Sequence, residues 1–234
     1  MLTKMDLAAL AETIDTPYRP IPLVTTGGGE ATLCICEGPK GWLREAVHDE
    51  LWLVLEGVIT LDPAAGRLIV SEGEIASIPR KLGHTANSGM RSPVVIFSEA
   101  SPEVPTNGHL PLPEGQRRPI SKRNVGVDVF NETPFAWQEA GSTDHFGAYA
   151  TRCYGTSLPY QAPPGGLIAV VYRGVLDYQT ADESGTVVGS QLLQVPAGAE
   201  VTFHAERGAT AVFFLRKGAA LPVLGTAVTG AAEG

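Results

Sequence analysis

Gly57 and Gly174, Pro79 and Pro196, and Phe97 and Phe214 each lie 117 residues apart. The text around these landmarks agrees at the same offset: LWLVLEGVITL stands against IAVVYRGVLDY, ASIPRKLGH against LQVPAGAEV, and PVVIF against TAVFF. A constant spacing over three landmarks points to two tandem copies of one folding unit, so whatever the first copy folds into, the second repeats.

The first copy reads as short strands. In Val47 to Asn87, Leu51, Leu53 and Leu55 alternate with Glu50, Trp52 and Val54, the period of a β-strand whose two faces do different work. Gly57 ends that strand, Asp62, Pro63 and Gly66 make a turn, Leu68 to Val70 resumes the pattern, and Gly73 breaks it. Ile75 to Ile78 is a strand stopped by Pro79, which cannot donate to a ladder. Three residues of this stretch have metal-binding chemistry. His48 and Glu50 are two apart on one strand, and His84 follows the Pro79 corner. A mixed imidazole and carboxylate set with open positions suits one divalent ion of iron, manganese, nickel or zinc.

This stretch resembles the cupin superfamily. Glu50 and Gly57 stand as the glutamate and glycine that close the first cupin motif, and Gly73, Pro79 and His84 as the glycine, proline and histidine of the second. Lys81 occupies the place of the second motif's inner glycine, with Gly83 nearby, and Asn87 arrives one residue early. The histidine pair of the first motif would fall at Leu43 and Glu45 or at Arg44 and Ala46, and neither pair holds a histidine. His48 is a substitute ligand, and Glu45 a carboxylate replacement. The resemblance implies an all-β chain of two tandem barrels of the double-stranded β-helix, or jelly-roll, kind. The first spans residues 1–105 and carries the metal site, 106–130 connect, and a second, degenerate barrel spans 131–234. In that second copy Glu50 maps to Leu167, His48 to Gly165 and His84 to Val201, so no ligand set survives.

Composition agrees. Twenty-seven glycines and eighteen prolines in 234 residues are what many short strands and tight turns require. A net charge of −8 leaves no basic excess for nucleic acid. No apolar run approaches the ~20 residues of a membrane span and no signal-peptide pattern opens the chain, so a cytoplasmic protein is expected. Cys34, Cys36 and Cys153 do not make a disulfide framework and read as small buried hydrophobes.

The remaining segments are read in order. Thr3 to Ile14 is expected to be helical, with Thr3 and Asp6 as a capping pair and Leu7, Leu10 and Ile14 on one face. Gly27 to Gly29 is a turn, Ala31 to Cys36 a strand, Gly38 to Gly41 a second turn, and Pro93 to Phe97 a buried strand after a turn at Gly89. The Pro- and Gly-rich stretch from Ser101 to Gln116 is a connection. His109, His145 and His204 are expected in solvated or structural roles.

Function follows from the first copy. Around His48, Glu50 and His84, Arg44 and Arg80 are candidate carboxylate clamps and Trp52 a pocket wall. The resemblance implies a metal-dependent enzyme on a small organic, aromatic-type acid, with dioxygenase chemistry favoured. The alternative is a non-catalytic cupin that binds or senses a small molecule without metal. Exposed edge strands lead us to expect a homodimer.

Overall fold

The computed structural model describes residues 1–43, 48–63, 66–99 and 119–225. The first half contains β1 (Thr3–Asp6), α1 (Leu7–Glu12), β2 (Ile21–Thr26), β3 (Gly29–Leu43), β4 (Glu50–Val54), β5 (Val58–Pro63), β6 (Leu68–Ser71), β7 (Glu74–Ile78) and β8 (His84–Glu99). The second contains β9 (Ser121–Asn124), α2 (Val125–Val129), β10 (Trp137–Ser142), β11 (Phe146–Thr156), β12 (Tyr160–Gln161), β13 (Leu167–Gln179), β14 (Ser184–Val188), β15 (Gln191–Val195) and β16 (Glu200–Arg216). The chain is all-β, as expected, and its strands form two antiparallel eight-stranded sheets.

The repeat is visible in the packing. Leu51, Leu53, Leu55, Ile75, Val95 and Phe97 meet Ile168, Val170, Tyr172, Leu192, Val212 and Phe214 in one core between the sheets. Each residue in the first set lies 117 positions before its counterpart. Phe97 stacks on Phe214 at 4.9 Å between centroids, and Phe146 on Phe214 at 5.1 Å. The alternate residues of β4, Trp52 and Val54, enter a separate core inside the first barrel. β4 is thus buried on both faces, which is why its sequence is nearly all apolar.

The N-terminal segment departs from the helical expectation. Thr3–Asp6 is a strand, and only Leu7–Glu12 is helical, with Asp6 itself as N-cap accepting from the Ala9 amide at 2.9 Å. Tertiary pairing overrides local propensity here, because β1 finds an open edge on β15 in the other half. β9 reciprocates by pairing with β7 of the first half. The exchange is symmetric in detail. The Leu7 amide donates to the Ser190 carbonyl at 3.0 Å, and the Val125 amide to the Gly73 carbonyl at 2.9 Å. Residues 119–130, read as connection, therefore contribute a strand and a core helix; the stretch 100–118 lies outside the described residues.

Two expected turns are absent. Gly38–Gly41 continues β3 and Gly89 continues β8, because both strands bend through a register shift between Cys36 and Gly38, where Gly38 has φ +69°. A bulge bends a strand around a barrel without ending it. Cys34, Cys36 and Cys153 are free and buried, as read. No helix among the described residues is long and apolar enough to cross a membrane.

The stacked phenylalanines give a direct test. Phe97→Ala and Phe214→Ala should each cost about 3–5 kcal/mol. Their double-mutant cycle in urea should show a coupling of about 1 kcal/mol beyond additivity.

Candidate functional site

The second-motif corner is built from backbone geometry. β7 stops before Pro79, the Leu82 amide returns to the Pro79 carbonyl at 3.2 Å, and the Arg80 amide donates to Asp49 Oδ1 at 2.9 Å. Lys81 has φ +64°, the left-handed conformation that Gly198, its counterpart in the second half, adopts at +74°. The motif's glycine position is therefore conformationally intact although its residue is not glycine. A side chain there carries strain that glycine lacks.

The corner delivers His84 into the first barrel. The ring is 1% exposed, and its Nδ1 lies 3.2 Å from the Leu82 carbonyl. Only an N–H can satisfy that oxygen, which assigns the proton to Nδ1 and leaves Nε2 a bare lone pair. Nε2 is buried and, among the described residues, has no hydrogen-bond partner. Burial lowers the ring's pKa, and the bond to Leu82 only partly opposes this, so His84 is held neutral.

Trp52 links His84 to Glu50. Its indole meets the imidazole edge to face, with centroids 5.8 Å apart at 81°, and its Nε1 donates to Glu50 Oε2 at 3.2 Å. The first barrel thus gathers a carboxylate, an indole and a neutral imidazole along one wall. Cys34, Cys36 and Ala86 face the same interior. The Cys36 thiol is pushed up by its hydrogen bond with Cys34 and by burial, so it behaves as a small hydrophobe there and not as a thiolate.

His48 lies elsewhere. It precedes β4, where strand alternation no longer applies, and its Nδ1 is 3.6 Å from Glu99 Oε2. Glu99 is 8% exposed and also accepts from the Thr143 hydroxyl at 2.8 Å and the His145 amide at 2.9 Å. His48 and Glu99 therefore belong to a joint between the halves. The Arg80 guanidinium pairs with Asp144 of the second half. Arg44 and Glu45 lie outside the described residues, as does His109. Sequence reasoning missed the Trp52 bridge in part and the Glu99 joint entirely. Period-two alternation placed Trp52 beside Glu50, but no local signal links Glu99 to residues more than forty positions away.

Tested as a metal centre, these residues fit in part. His84 is arranged as metal-binding histidines are, with Nδ1 held by a carbonyl and Nε2 open. Among the described residues, however, no three side chains of metal-ligating type converge. In the second barrel Val201 and Phe203 stand where the first has His84 and Ala86, and the interior is packed with apolar side chains.

No family model matches the sequence, and no curated protein matches it either. Solved structures do. The chain is similar to a cupin 2 conserved barrel domain protein from Leptotrichia buccalis, with TM-score 0.72, 12% identity and coverage of 92% of this chain and 96% of that one. It is also similar to salicylate 1,2-dioxygenase from Pseudoaminobacter salicylatoxidans, with TM-score 0.69, 12% identity and coverage of 92% and 83%. A third likeness is to protein Ylba from E. coli, with TM-score 0.64, 10% identity and coverage of 92% and 90%. The fold of this chain is the cupin fold.

Two outcomes are expected at this corner. Lys81→Gly should raise stability by about 1 kcal/mol in urea unfolding, because it relieves the left-handed strain. The second concerns pH. His84 has a folded pKa below its ordinary 6.5, so the unfolded chain takes up the proton first as pH falls. The stability from keeping the ring neutral is complete above pH 6.5 and is lost as pH falls towards and through the folded pKa, with a slope of up to about 1.4 kcal/mol per pH unit. His84→Gln should flatten that slope.

Proposed function

We propose that the first barrel binds a small hydroxylated organic acid, with His84 as the group that meets it. The observation that carries this reading is the buried Nε2 of His84, which has no partner among the described residues. In the assigned tautomer Nε2 accepts and does not donate, so a ligand must bring it a proton donor. A phenolic hydroxyl does so, and the Trp52 indole beside it offers an aromatic wall. A ligand carboxylate would then look to a cation at the barrel entrance. Arg44 is our candidate; Arg80 would first have to leave Asp144. His48, directed at Glu99, acts in this reading through the joint between the halves and not on the ligand.

A second reading, oxygen-dependent cleavage of such an acid, is favoured by the likeness to a salicylate dioxygenase, a protein also solved with gentisate. It would need a divalent ion among iron, manganese, nickel and zinc. His84 and Glu50 are the described residues available to hold it, with Glu45 and His48 as further ligands. The division at residues 105 and 131, a homodimer and a cytoplasmic setting belong to this same proposal. A single species at twice the chain mass in size-exclusion light scattering would support the dimer.

Calorimetric titration with salicylate and gentisate tests the binding. Wild type should bind at least one, and His84→Ala should weaken it by roughly tenfold or more. Equal affinity in the folded variant would remove His84 from the site. Elemental analysis and oxygen uptake on the same samples separate the readings: a bound ion lost in His84→Ala, with substrate-dependent uptake, selects the oxygenase, and binding without either selects the non-catalytic alternative.

A further inference from the structure

One register-matched pair differs between the barrels in both size and charge. Ala86 on β8 stands opposite Leu61 on β5 and Lys40 on β3. At the 117-residue offset these positions become Phe203, Tyr178 and Ser157, and Phe203 is again opposite Tyr178. Ser157 is its neighbour on the other side: the Ser157 amide donates to the Phe203 carbonyl at 2.8 Å, and the Phe203 amide to Ser157 Oγ at 3.0 Å. Register partners in an antiparallel ladder share a face. Lys40 therefore lies on the face of Ala86, whose side chain belongs to the interior of the first barrel. The equivalent Ser157 is 3% exposed, so the same position faces inward in the second half.

The exchange is complementary. In the second barrel Phe203 is fully buried against Phe213, edge to face at 5.4 Å, and a serine beside it leaves room for the ring. In the first, alanine withdraws that bulk and a long cationic side chain stands beside it. Lys40 is half-buried, and its ammonium lies 5.8 Å from the centroid of Tyr18, which packs against the same interior and is anchored by its hydroxyl to the Gly38 carbonyl at 2.6 Å. One aromatic face at that distance is a weak partner for a cation. Among the described residues no carboxylate pairs with Lys40.

We infer that Lys40 holds the carboxylate of the hydroxy acid in the first barrel. This rests on the acid-binding reading above and adds the described residue that meets the charged end of the ligand. His84 and Ala86 are two residues apart on one face of β8, about 7 Å along the strand. The four-carbon stem of Lys40, opposite Ala86, is flexible enough to cover that separation once the ammonium leaves Tyr18. The two side chains differ in hydrogen-bonding character: neutral His84 accepts at Nε2, and the lysine ammonium only donates. A phenol satisfies the first alone and a simple carboxylate the second alone, whereas a hydroxy acid satisfies both. The second barrel offers neither group, with Val201 and Ser157 at these positions and Phe203 in the space between.

The test is calorimetric titration of the full chain with salicylate, benzoate and phenol, which carry both groups, the carboxylate alone and the hydroxyl alone. Salicylate should bind wild type. Lys40→Gln should weaken it by roughly tenfold or more, and Lys40→Arg, which keeps the charge, should recover most of the loss. Benzoate should weaken in Lys40→Gln while phenol does not, and His84→Ala should do the reverse. Salicylate affinity unaltered in folded Lys40→Gln, or phenol weakened by it as much as salicylate, overturns the inference and leaves the role of His84 standing. Loss of salicylate and benzoate in Lys40→Gln with no effect of His84→Ala supports Lys40 and removes His84. Absence of binding by all three probes overturns both.

Discussion

Phe97 and Phe214 occupy equivalent positions in the two copies and stack on one another, so the sequence repeat and the packing plane share one centre. Around that stack the large faces of both sheets bury each other's leucines, isoleucines and valines. The rest of the fold depends on this plane. With their outer faces covered by the opposite half, β4 and its counterpart in β13 have only the barrel interiors left for chemistry. The reciprocal exchange of β1 and β9 closes the same joint at its edges, each strand covering an edge that would otherwise stand open. Neither half is a self-contained barrel, because each borrows a strand from the other.

Much of this was legible. Alternation in Glu50 to Leu55 put Leu51 and Leu53 on one face and Trp52 on the other, and the structure sends the two faces into separate cores. The offset of 117 residues gave the duplication, and motif spacing gave the cupin fold. What escaped was non-local. Thr3–Asp6 has helical text, and its strand exists only because β15 offers an edge. Gly38 and Gly89 look like turns to any local rule, since a bend that carries one strand around a barrel uses the same residues as a turn that ends it. His48 appeared to share a face with Glu50 because period two was extended past the end of the strand. Two residues beyond regular structure, side-chain direction is set by tertiary contacts, here Glu99.

The two barrels have nearly one backbone, so their difference in chemistry rests on a few register-matched substitutions. His84 against Val201 and Glu50 against Leu167 exchange polar groups for apolar ones. Ala86 against Phe203 and Trp52 against Ala169 move the aromatic bulk from one wall to another. In the second barrel the phenylalanine fills the centre with no polar atom to satisfy. In the first, the aromatic residue carries an N–H and spends it on Glu50, which leaves the imidazole Nε2 without a partner among the described residues. An unpaired acceptor inside a packed barrel costs stability unless something outside the chain meets it.

Lys81 sharpens that point. Where no polar group is delivered, the equivalent corner uses Gly198 and the left-handed turn is unstrained. Where His84 is delivered, the same turn is made with a residue that resists it, and the path is enforced by Pro79 and by the Arg80 amide bound to Asp49. Strain of this kind persists only where surrounding contacts over-determine the backbone. The Asp49 bond supplies that determination from the residue just before Glu50, so one short segment fixes the approach of the carboxylate and the corner that carries the imidazole. The corner that carries His84 is therefore tied to the start of β4 through the Asp49 carboxylate.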